Sequence, residues 1–241
     1  QVRQLCQPEL EKKLDLETLR SNLPDVGEES MTVRLGMVDD PENQQQFPLE
    51  LDMAACQNLL IVGEAGSGKT SMLQSILYSL TQQLTAQDLH FYALDYSARM
   101  MKMYTPLPHC GAVLYEEDIG LLDAFFDTVG QIIEERKKLF TELEVDNFES
   151  ARSVKRLPLV LVLIDNYSGM TATKKGDSLS YTLADMVKES AAYGVKFLIT
   201  ANRLGDLNSR MKRAVGDRIC LYQADKYGYT DVLGVKPGYT P

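Results

Sequence analysis

Tryptophan is absent from this 241-residue chain, histidine occurs twice and cysteine four times. His90 and His109 stand apart, and Cys6, Cys56, Cys110 and Cys220 are scattered with no C-x-x-C pair, which excludes the usual zinc-binding spacings. Thiols so dispersed read as buried, reduced cysteines of a cytosolic compartment. No run approaches the roughly 20 apolar residues that span a bilayer. No secretory leader is visible at the start, so this stretch is expected to make no direct membrane contact. Also lacking is a basic excess: net charge is −9, from Lys+Arg 25 against Asp+Glu 34. Nucleic-acid-binding domains usually carry a positive surplus, so a nucleic-acid groove is not expected as the main surface.

The apolar fraction, 44%, is that of a globular protein, and the length suffices for one large α/β domain. The sequence runs from Gln1 to Pro241 without a natural-looking end and is expected to be a piece of a longer protein. Residues 1–30 are polar, with a short leucine pattern (Leu10, Leu14, Leu19) and breakers at Pro24 and Gly27. They read as a short helix and linker leading into a single domain over residues 31–241.

One stretch dominates that domain. The apolar run Leu59-Leu60-Ile61-Val62 leads into Gly63-Glu64-Ala65-Gly66-Ser67-Gly68-Lys69-Thr70, the G-x-x-x-x-G-K-[ST] phosphate-binding pattern. A helical apolar pattern follows through Met72, Leu73, Ile76, Leu77, Leu80 and Leu84. Glycines let the backbone wrap an anion so that successive N–H groups point inward, and the helix adds its positive dipole end. The expected nucleotide contacts are Gly63, Glu64, Ala65, Gly66, Ser67, Gly68, Lys69, Thr70 and Ser71. Lys69 would reach the β- and γ-phosphates, and the Thr70 hydroxyl would bind Mg²⁺.

The rest of the chain alternates apolar strands with helices. Met31–Leu35 and Phe47–Leu51, around a turn at Asp39–Asn43, suggest a small N-terminal β-hairpin. Leu89–Asp95 is a core strand whose terminal acid either lies near the site or caps a short helix, Ser97 to Met103. After the strand Ala112–Leu114, the acids Glu116-Glu117-Asp118 open a long helix with an inward stripe of Leu122, Phe126, Val129, Ile133 and Phe140. A short helix over Asn147–Val154 follows. A polar loop over Thr171–Ser180 precedes a helix from Leu179 to Tyr193. Val195–Thr200 and Arg218–Tyr222 are strands flanking a short helix, Leu207–Val215. This alternation predicts a mostly parallel sheet covered by helices on both faces.

Pro158–Asp165 is the strongest strand, continuous and ending in an acid. Downstream of a P-loop it reads as Walker B, with Asp165 holding Mg²⁺ beside Thr70. Arg203 follows the next strand and is a candidate γ-phosphate sensor. Arg210, Arg213 and Arg218 are candidates to reach a neighbouring subunit's nucleotide.

These residues carry a family resemblance. Gly36–Pro41, Gly63–Thr70, Leu89–Tyr96, Leu107-Pro108-His109, Glu134–Lys138, Leu163-Ile164-Asp165-Asn166-Tyr167 and Ile199–Arg203 resemble FtsK/SpoIIIE-type P-loop ATPases. Their closest likeness is to the downstream ATPase modules of type VII secretion motors, the EssC/EccC proteins. The resemblance implies a RecA-like fold that binds ATP and Mg²⁺. It also implies hexameric assembly with neighbouring ATPase modules, in the cytoplasmic part of a bacterial cell-membrane protein. The implied cargo is WXG100-type secreted proteins.

One position departs from the family pattern. Active members follow the Walker B Asp with Glu, the base that orients the attacking water; here that position is Asn166. An amide hydrogen-bonds water but does not take its proton at neutral pH. The expectation is therefore a module that binds Mg·ATP, hydrolyses it slowly or not at all, and has a regulatory, assembly or cargo-recognition role. Two alternatives stand beside it. One is an active export motor whose base comes from Asp95 or an adjacent module; the other is an FtsK-like DNA translocase.

Overall fold

The computed structural model describes residues 13–21 and 30–234, together with Leu10. Pro24 and Gly27 lie outside the described residues. Of the leading helix, α1 (Leu16–Ser21) is seen, with Leu19 buried. Strands β1 (Thr32–Asp40) and β2 (Gln45–Asp52) form an antiparallel hairpin in the register Thr32↔Asp52 to Asp40↔Gln45. It extends further toward the turn than the apolar alternation marks, because Asp40 accepts the Asn43 N–H at 3.2 Å and closes the turn.

The P-loop strand β3 (Leu59–Val62) leads into α2 (Lys69–Gln83). Strands β4 (Leu89–Asp95) and β5 (Cys110–Tyr115) follow, then α3 (Leu122–Glu142), α4 (Phe148–Val154) and β6 (Leu159–Asp165). The chain continues through α5 (Tyr167–Thr171), α6 (Lys174–Ser190), β7 (Val195–Ala201), α7 (Ser209–Ala214), β8 (Asp217–Cys220) and α8 (Lys226–Leu233). The strands lie in the order β5-β4-β6-β7-β3-β8, and every pairing is parallel. Their carboxyl ends, and hence Val62, Asp95, Asp165 and Ala201, reach one edge of the sheet.

Alternation along each strand divides the core. Leu60 and Val62 join Phe126, Val129, Leu183 and Val187 of α3 and α6, while Leu59 and Ile61 join Leu73, Ile76 and Leu80 of α2. Both faces are covered, so all seven residues of β6 are buried and the strand reads as an unbroken apolar run.

Other segments differ from the sequence expectation too: α5 is unanticipated, the turn read as a helix over Ser97 to Met103 is a 3₁₀ turn at Met100–Tyr104, and the last strand ends at Cys220 rather than Tyr222. Helix α6 begins at Lys174, within the stretch read as a polar loop. Thr173 caps it, accepting the Gly176 N–H at 3.0 Å. A Cβ on Gly176 would stand 2.0 Å from the Met170 oxygen, so this first turn packs through glycine rather than an apolar side chain and leaves no hydrophobic period. A 3₁₀ turn, Glu116–Leu121, precedes α3, broken at Asp118 (φ −84, ψ 23), whose carboxylate accepts the Tyr115 N–H at 2.9 Å. Helix α8 had no sequence signal, since only Tyr229 and Val232 of it are buried.

Candidate nucleotide-binding site

The P-loop crosses from the tip of β3 to the first turn of α2, whose leading N–H groups have no helical acceptor. Gly66 and Gly68 take φ of +79 and +98, where a side chain is strained. A Cβ at either would meet nothing within 4 Å, so the space they face is open. Gly63 is different: a Cβ there would lie 2.8 Å from Leu221 Cβ and 2.3 Å from Ser67 Oγ. Close approach fixes that glycine. The Glu64 N–H donates to Tyr222 O at 3.0 Å, anchoring the loop on the chain that leaves β8. The Lys69 ammonium donates to Gly63 O at 2.6 Å and Glu64 O at 2.9 Å. Burial holds its pKa below the ordinary lysine value, against the pull of Asp165, Asp206 and Glu64. The Ser67 hydroxyl is buried without a hydrogen-bond partner.

Asp165, at the tip of β6, is 2% exposed. Thr70 donates to its Oδ2 at 2.7 Å and Thr200 to its Oδ1 at 2.7 Å. Burial pushes the carboxyl above its usual range, and nearby Asp95 adds to the rise; both hydroxyls and Lys69 oppose it. A buried anion with raised proton affinity, beside a hydroxyl and a lysine, is a site whose cost a hard cation relieves. The oxygens of Thr70 and Asp165 are the ligand type Mg²⁺ takes, so the donor set fits that ion.

Asn166 adopts φ +71, ψ +73, a left-handed geometry that asparagine tolerates better than most residues. Its Oδ1 accepts the Gly169 N–H at 3.1 Å, capping α5, and its Nδ2 donates to Tyr96 O at 2.9 Å. Its backbone N–H donates to Thr200 Oγ1 at 2.7 Å. Thr200 thus serves both Asp165 and Asn166, a part sequence reasoning missed. Its one signal was a polar residue near the end of an otherwise mostly apolar strand.

A cavity of about 420 Å³ joins Ala65, Gly66 and Gly68–Ser71 to Ser97, Asp165, Asn166, Thr200 and Asn202. Gly63, Glu64 and Ser67 support the loop without lining this space, and Asn202 lines it where Arg203 does not. Asp95 pairs in register with Asp165 and accepts the N–H groups of Ser97, Arg99 and Met101 at 3.0–3.2 Å. It caps the following turn beside the site, its carboxylate occupied. Arg210 pairs with Asp185 at 3.6 Å. Arg218 donates to Lys212 O and Val232 O at 3.0 and 3.1 Å, tying α7 to α8, and Arg213 is exposed. None of the three lines the cavity.

Comparison with known proteins gives this arrangement its relatives. The chain is 24% identical over 202 residues to the type VII secretion system protein EssC of Staphylococcus aureus (strain MRSA252), covering 83% of this chain and 14% of that protein. The chain therefore spans about one-seventh of that relative's length. Among solved structures, EssC (ATPases 2 and 3) from Geobacillus thermodenitrificans superposes with a TM-score of 0.81 at 22% identity, over 90% of this chain and 42% of that one. Thermomonospora curvata EccC (ATPases 2 and 3) in complex with a signal sequence peptide gives 0.76 at 22%, over 85% and 38%. These likenesses establish the α/β fold of P-loop ATPases. The FtsK/SpoIIIE family model matches residues 17–232, and the chain belongs to the FtsK/SpoIIIE family.

Proposed function

We propose that the chain is a Mg·ATP-binding module of a type VII protein-secretion motor that hydrolyses ATP slowly or not at all, with bound nucleotide setting its conformation. Asn166 carries this reading. Where a catalytic Glu would orient water, the chain places an amide whose oxygen caps α5 and whose nitrogen holds the Tyr96 carbonyl. Loss of a general base typically costs on the order of 10²–10⁴ in rate. Asp95 is a poor substitute, because three N–H groups already occupy its carboxylate.

Binding needs none of the missing chemistry. The open loop and the first turn of α2 would cradle the phosphates, and Lys69 would exchange its carbonyl partners for phosphate oxygens. Thr70 and Asp165 would hold Mg²⁺, which when bound neutralises phosphate charge. A ligand that prefers one conformation stabilises it by its differential affinity.

The wider setting belongs to the same proposal. The solved relatives each contain two ATPase domains by name, which supports neighbouring modules in one chain. We extend this to a hexamer on the cytoplasmic side of a bacterial membrane, with exposed Arg213 free to approach a neighbour's nucleotide. The signal-sequence peptide on EccC supports WXG100-type secreted proteins as cargo. The test is a single-turnover assay with labelled Mg·ATP and excess chain, following bound nucleotide and ADP together. Retained ATP without ADP is expected; prompt ADP formation would replace this reading with that of a working motor.

A further inference from the structure

A second cavity, of about 300 Å³, lies between the loops that leave β7 and β8. Of the P-loop only Glu64 borders it, so it is separate from the phosphate cavity, which Ala65 and later residues line. Gln223 lines it, is 6% exposed, and carries an Nε2 with no hydrogen-bond partner. A buried N–H left unpaired is costly, and an acceptor atom seated against it, from water or from a ligand, would relieve that cost. Three carboxylates, Glu64, Asp225 and Asp231, stand in the lining against one guanidinium, Arg203. One oxygen each of Glu64 and Asp225 accepts a backbone N–H, from Ala224 at 3.3 Å and Tyr227 at 3.0 Å, and among the described residues the other oxygen has no such hydrogen bond. Among the described residues none of these four forms an ion pair. Leu204 and Val232 add an apolar wall, and the Tyr227 ring lines the cavity while 77% exposed.

A ligand suited to this set brings a cation for the carboxylates, an acceptor for Gln223 and an apolar stem between them. An arginine within a peptide has all three: its guanidinium, its main-chain carbonyl and its methylenes. The tyrosine face adds an attraction specific to such a cation. We propose that this cavity docks an arginine-bearing segment of a protein partner. The acidic lining disfavours an acidic or phosphorylated segment.

The test uses the whole chain, isotope-labelled and free of nucleotide, titrated with acetyl-Gly-Arg-Gly-amide. The side-chain amide of Gln223 and the backbone amides of residues 224–228 are expected to shift and saturate. Replacing the peptide's arginine by neutral citrulline should weaken binding by about fivefold or more, as should the double variant Asp225→Asn, Asp231→Asn. Asparagine also caps helices and Asp231 is exposed, so that variant is expected to fold; its unperturbed spectrum elsewhere verifies this. The proposal is overturned if no signal near Gln223 moves at about ten times a millimolar Kd. It also falls if the citrulline or glutamate peptide binds as well, if the double variant binds unchanged, or if adenosine and not the arginine peptide moves these signals.

Discussion

The Thr70 hydroxyl donates to Asp165 Oδ2 at 2.7 Å, joining residues 95 positions apart. This contact brings the start of the P-loop helix and the tip of β6 together around one buried carboxylate.

Lys69→Ala is expected to lower ATP affinity by about 100-fold or more, because a charged donor to phosphate oxygens is lost. Its present partners are two loop carbonyls, which water can satisfy, so the melting temperature of the nucleotide-free chain should change little. Titration with a fluorescent ATP analogue beside a thermal melt separates the two effects. Unchanged affinity would disprove the assignment of the site.

Asn166→Glu has two expected consequences of opposite value. Stability falls by about 1–3 kcal/mol, from a left-handed backbone without asparagine and from the lost donor to Tyr96 O. Turnover rises, because a carboxylate now faces the site. Urea unfolding and ATPase rates measure each; a destabilised variant with no gain in turnover, alone or assembled, would refute the missing-base argument.

Thr200→Val keeps the shape but removes the hydroxyl that serves Asp165 Oδ1 and the Asn166 N–H. The stranded N–H predicts a loss of about 1–3 kcal/mol, with a weaker Mg²⁺ dependence of ATP binding. Thr200→Ser should restore both.

Asp165 sets a pH dependence in the metal-free chain. Its folded pKa is raised above the unfolded value, so the ionised form costs stability above the folded pKa, and that cost fades as pH falls through it. Asp165→Asn is therefore expected to raise the urea midpoint near neutrality, with the gain shrinking in acid, while reducing the affinity that Mg²⁺ adds to ATP binding. A midpoint difference independent of pH would contradict the assignment of the buried charge.

The phosphate loop was legible because its chemistry needs glycines at fixed spacing, and Asp165 because a fully buried strand leaves an acid conspicuous at its end. The role of Thr200 was not, and of Asn166 the departure from Glu was legible but its hydrogen bonds were not. Asn166 meets Tyr96 O only because β4 pairs with β6, across 70 residues of sequence, and Thr200 looks like any β-branched strand residue. Asp95 had two open readings from the sequence, and backbone N–H groups from the following turn decide for the cap. The sequence also placed Arg203 near the phosphates, whereas the chain turns after β7 so that Asn202 lines that cavity and Arg203 the next.

The anchoring of the P-loop on residues after β8 has a consequence for how the chain is made. Strand β3 lies between β7 and β8, both synthesised long after it, and Gly63 and Glu64 rest on Leu221 and Tyr222. A nascent chain emerging from its N-terminus thus carries the phosphate-binding motif well before it has the walls that shape it. Such long-range pairing is slow to form, so nucleotide affinity should arise late in folding and report completion of the whole sheet.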